Sequence, residues 1–116
     1  MKKICKIIIV ESVSKYSREI DNKIKNGTIS TPVSGMVMTP ETFNKVFSPE
    51  RIKLLQRIYR NNVKNIYQLA KDLGKPYEVV FRNIKYLQGL GLIEIEKKDN
   101  KSIPHMRCKP SIELVV

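Results

Sequence analysis

Residues 66–93, IYQLAKDLGKPYEVVFRNIKYLQGLGLI, decide how the rest of the chain is read. Ile66, Leu69, Ala70 and Leu73 recur at helical spacing, and Gly74 follows as a C-terminal stop. Pro76 suits the first turn of a second helix, in which Val80, Ile84 and Leu87 share one face. Lys75, Glu78, Arg82, Lys85 and Gly89 then fall on the opposite face, and Asn83 sits at its flank. Gly89 and Gly91 close the helix before the alternating strand Leu92-Ile93-Glu94-Ile95-Glu96. A short helix, a tight turn, a longer helix and a strand is the order of a helix-turn-helix, which can place one helix in the DNA major groove.

Working outward toward the C-terminus, Lys97 to Lys101 form a charged turn, and Ser102 to Cys108 return as a second strand. Ile112, Leu114 and Val116 alternate in a terminal strand. Toward the N-terminus, Ser48-Pro49-Glu50-Arg51 is a helix start, with Ser as cap, Pro in the first turn and an acid beside it. Ile52, Leu55, Ile58 and Tyr59 are the expected apolar face of that helix, and Asn65 is placed to cap the next one. Earlier still, Lys3 to Val10 reads as a buried strand. A helix follows from a Ser12 cap, with Val13, Tyr16, Ile20 and Ile24 as its apolar stripe and Gly27 as its stop. Thr28 to Gly35 is loop-like, Met36 to Met38 a short strand, and Thr39-Pro40-Glu41 opens a short helix through Phe43 and Val46.

The predicted fold is α+β: a winged helix-turn-helix, with a three-helix core plus a β-hairpin wing, an N-terminal strand-helix extension and a C-terminal strand. Its expected parts are residues 1–47, a possible dimerisation element, 48–109, the DNA-binding domain, and 110–116, the final strand.

Charge points the same way. Twenty-two Lys and Arg oppose eleven Asp and Glu in 116 residues, a net charge of +11 with a pI near 9.8. Residues 48–109 hold fourteen of those cations and six of the acids. Such a balance favours a polyanion, nucleic acid before an anionic membrane surface, although a basic surface also serves solubility. No apolar run is long enough to span a bilayer. Cys5 and Cys108 match no zinc or redox spacing and sit in apolar strand-like stretches, so they are expected as buried, reduced thiols of a cytoplasmic protein.

Enzymatic chemistry finds no support. His105 is the sole histidine, without acids or thiols at metal spacing, and no phosphate loop, paired carboxylates or nucleophile setting appears. No cofactor and no metal are expected. The expected partner is double-stranded DNA, met by a homodimer, with any effector ligand left open. The expected recognition helix is 76–89, where Lys75, Tyr77, Glu78, Arg82 and Lys85 can reach phosphates and base edges. The expected wing is 92–108, where Lys97, Lys98 and Lys101 supply sequence-independent affinity. The rival reading is a winged-helix protein-interaction module of the transcription or RNA-processing machinery. An RNA binder ranks third, because base-stacking aromatics would be expected on an exposed sheet and the eight aromatics read as mostly buried or scattered.

The stretch 48–105, SPERIKLLQRIYRNNVKNIYQLAKDLGKPYEVVFRNIKYLQGLGLIEIEKKDNKSIPH, resembles the winged helix-turn-helix of MarR-like archaeal and bacterial transcriptional regulators. The likeness is carried by Ile66, Leu69, Ala70, Leu73, Gly74, Lys75, Tyr77, Val80, Arg82, Asn83, Ile84, Leu87, Gly91 and Leu92. Over nearly its full length the chain is similar to a family of small archaeal DNA-binding regulators. It departs from them at Asn83, where they often have Asp, and at Asn65, where they have Ser or Thr. The resemblance implies sequence-specific DNA binding by a dimer that represses or activates a nearby promoter.

Overall fold

The computed structural model describes residues 3–18, 35–60 and 63–116, and it is a mixed α+β protein with two sheets. In chain order, β1 is Lys3–Ile9, residues 13–18 are helical (α1), β2 is Gly35–Met38, α2 is Pro40–Val46 and α3 is Pro49–Arg60. They are followed by α4 (Ile66–Leu73), α5 (Tyr77–Gly89), β3 (Ile93–Lys98), β4 (Lys101–Met106) and β5 (Cys108–Leu114). The chain divides into two compact units, Met1–Lys3 with Ser48–Lys109 and Ile4–Phe47 with Pro110–Val116. No described helix is long and apolar enough to cross a membrane.

The second unit is built on the sheet β2-β1-β5. β1 and β2 run parallel, with Ile7 beside Met36 and Ile9 beside Met38. Gly35 opens β2 because a Cβ there would stand 3.0 Å from the Lys6 carbonyl oxygen. Ile7, Ile9 and Met38 face inward, the period-2 burial of a strand with one covered face. Thr39 caps α2, its hydroxyl accepting from the Thr42 N–H at 3.3 Å. The apolar stripe expected after Ser12 is described only at Val13, which is exposed, and Tyr16, which is half-buried. Ile20, Ile24, the Gly27 stop and the loop from Thr28 lie outside the described residues.

Local chemistry explains the helix ends of the first unit. The Ser48 hydroxyl accepts from the Arg51 N–H at 3.3 Å, and Pro49 follows it as the first residue of α3. Asn65 caps α4, its Oδ1 accepting from the Gln68 N–H at 2.7 Å. Gly74 ends α4 in the left-handed region at φ 66°, so the Lys75 N–H reaches back to the Ala70 carbonyl at 3.0 Å. Replacing Asn65 with alanine leaves that N–H without its acceptor, and chemical denaturation will show a loss of about 1 kcal/mol, the usual value of such a cap.

α5 packs against α4 and β3, while β4 also meets α3 and α4. Ile84 and Leu87 are fully buried, as are Ile66 and Leu69 of α4 to within 1% and Leu92 and Ile93 of the following segment. α3 differs from expectation. Leu54, Leu55 and Ile58 are its buried residues, whereas Ile52 is half-buried and Tyr59 is 44% exposed. At about 100° per residue, Ile58 lies midway between Leu54 and Leu55, so the helix centres Ile58 inward and turns Tyr59 to the rim.

The hairpin also sharpens its sequence reading. Asp99 and Asn100 form a two-residue turn at φ 52° and 63°, the positive pair of a type I′ turn. Lys97 and Lys98 therefore belong to β3 and Lys101 to β4, and Lys98 stands directly opposite Lys101. The return strand stops at Met106, not at Cys108: Arg107 is a bend whose N–H still donates to the Leu92 carbonyl at 2.9 Å, and Cys108 opens β5. Cys5, on β1, and Cys108 are each disulfide-bonded rather than reduced as expected.

Candidate nucleic-acid interface

α5 is held by one side and open on the other. Val80, Ile84 and Leu87 are buried, and Glu78, Arg82 and Lys85 are exposed about 140–200° around the helix from Val80. Lys75, in the turn before α5, is exposed and pairs with Glu50 at 3.6 Å, with both side chains half in solvent. A pair so open contributes little to stability and leaves the ammonium available to a stronger anion. Tyr77, at the start of α5, is 41% exposed.

The rotation of α5 about its axis is fixed at one flank by a residue that sequence reasoning missed. Arg51 Nε donates to Asn83 Oδ1 at 3.1 Å, and its guanidinium lies 3.9 Å from the centre of the Tyr86 ring. Asn83 is half-buried in that contact and so faces α3, away from the open side of α5. Asn83 and Tyr86 are three residues apart and share a flank of the helix, a spacing that could have flagged a common partner.

Beside α5, the hairpin carries Lys97, Lys98 and Lys101, all exposed. Among the described residues, none of Arg82, Lys85, Lys97, Lys98 and Lys101 is in an ion pair. His105 Nε2 lies 3.2 Å from Glu96 Oε2, a diagonal contact across β3 and β4. No described His, Cys, Asp or Glu side chains cluster as a metal site.

The aromatics correct the sequence reading. Tyr67, Tyr77 and Phe81 form one group: Tyr67 and Tyr77 are 6.3 Å apart, and Tyr77 stacks on Phe81 at 5.7 Å. Tyr67 is 67% exposed, so these rings are neither buried nor scattered. They come together because Tyr67 lies at the start of α4 and Tyr77 at the start of α5, and those helices pack on each other.

No curated protein matches the chain. The model of an archaeal family, HVO_A0114, matches residues 46–109. That match covers more than half of the 116 residues and takes in α3, α4, α5 and the β3–β4 hairpin. The chain belongs to the HVO_A0114 family.

Proposed function

We propose that this protein is a sequence-specific double-stranded DNA-binding transcriptional regulator whose residues 48–109 are a winged helix-turn-helix. In this reading α3, α4 and α5 are the three-helix core, α5 is the recognition helix in the major groove, and β3–β4 is the wing on the backbone. Arg82, Lys85 and Glu78 face base edges from the open side of α5, and Lys75 and Tyr77 meet the phosphates at its start. Lys97, Lys98 and Lys101 bind the backbone beside the groove.

The observation that carries the reading is the lysine pair at the hairpin tip. Lys98 and Lys101 stand directly opposite each other, an arrangement that costs stability in the free protein. With Lys97 beside them and no acid among the described residues paired to any of the three, the tip is arranged for a polyanion. A homodimer fits the same reading. β5 is the edge strand of its sheet, and Ile112 and Leu114 there are 54% and 69% exposed. An apolar edge of this kind pairs readily with another strand.

Selection from a random duplex pool tests the whole reading. It will return a motif with two inverted half-sites about a helical turn apart, as two recognition helices related by a dimer axis require. Changing Arg82 to alanine will flatten preference at one or two positions of each half-site, by roughly 1–3 kcal/mol of discrimination, and leave the rest of the motif readable. Duplex affinity undetectable at low salt would sink the proposal and favour a protein-interaction role for the same surface.

A further inference from the structure

Tyr67, Tyr77 and Phe81 are an expensive group to leave in water unless something covers them. Tyrosine rings carry a large apolar face, and one of these three side chains is two-thirds exposed. Tyr67 and Tyr77, with Phe81 stacked behind Tyr77, line an open cleft of about 310 Å³ whose wall also includes Asn65 on the helix side and Asn100, Lys101 and Ser102 on the hairpin side. Among the described residues of that wall Lys101 is the charged one, and none is a carboxylate. Along α5, Lys85 continues the row of Tyr77 and Phe81 at intervals of four residues, so the aromatic line ends in a second cation.

We infer that this group is a stacking platform for an unpaired nucleobase, with Lys101 taking the phosphate of the same nucleotide. The inference rests on the DNA-binding reading and extends it from duplex to strand ends and opened base pairs. Flat rings edged by lysines suit a nucleotide, which offers a π-face and an anion together. A base inside a duplex presents neither of its faces, since its neighbours cover both. An unpaired base presents one, whatever its identity. α5 therefore reads sequence while the platform senses whether the strand beside it is open.

The experiment compares one blunt duplex with the same duplex carrying a short unpaired tail, using full-length protein and fluorescence anisotropy at low salt. The tailed duplex will bind about ten-fold tighter, the scale of stacking one base on an aromatic side chain. A 2-aminopurine placed in the tail will lose fluorescence on binding. Because Tyr67 is mostly exposed, Tyr67→Leu keeps the fold, will erase the advantage of the tail and will leave blunt-duplex affinity unchanged. Tyr67→Phe keeps the ring without the hydroxyl and will retain the advantage. Equal affinity for tailed and blunt duplexes overturns the platform and leaves the duplex reading standing. A Tyr67→Phe variant as poor as Tyr67→Leu overturns stacking in favour of a hydroxyl contact. Failure to bind either duplex overturns the platform together with the reading on which it rests.

Discussion

Replacing Ile84 with alanine will destabilise the protein by about 2–5 kcal/mol, the range for emptying a buried aliphatic site. Ile84 has no solvent exposure and lies on α5, the helix packed on both α4 and β3. Alanine removes three carbons from the inward face of that helix, and the helix backbone cannot move in to fill the space without dragging Val80 and Leu87 with it. The loss is a large share of the 5–15 kcal/mol that holds a typical domain together. In urea the midpoint will fall while the slope stays the same, because the surface exposed on unfolding hardly changes. The control is one residue away. Lys85 is exposed, and its replacement by alanine will change stability by no more than about 0.5 kcal/mol. If the two variants lose equal stability, the face of α5 assigned to the core is wrong, and with it the open face assigned to Arg82 and Lys85.

That division of α5 was legible because it depends on period alone: Val80, Ile84 and Leu87 are buried as their spacing predicts. Caps were legible for a similar reason. Ser48, Asn65 and Gly74 act within three or four residues of themselves, and each ends or starts a helix where it was expected. What escaped was non-local. A wheel allows α3 to bury either Tyr59 or Leu54 beside Ile58, and only its neighbours choose Leu54. The parallel pairing of β1 with β2 has no turn to announce it. Arg51 and Asn83 are 32 residues apart, and Tyr67 and Tyr77 lie on different helices. The lysines of the hairpin were visible as a charged cluster. That Lys98 opposes Lys101 required the position of the turn, which Asp99 and Asn100 set by adopting positive φ together.

Converting Lys97, Lys98 and Lys101 together to glutamine will weaken binding to every duplex, selected or random, by a similar factor. Each phosphate contact that displaces counterions contributes about 0.9 to the slope of log K against log salt. Three lost contacts lower the slope by about 2.7, which at 0.1 M salt is a loss of about 500-fold in affinity. The motif recovered from a random pool will be unchanged, because the side chains of α5 that meet base edges are untouched. The same variant will be at least as stable as the parent protein, since it removes the repulsion between two lysines that face each other across the hairpin. Weaker DNA binding with no loss of stability is the signature of charges placed for a partner rather than for the fold. Should the salt slope stay at its original value, these lysines do not touch the backbone, and the hairpin is not a wing. Should the recovered motif change, they read bases, and the separation of affinity on the hairpin from specificity on α5 fails.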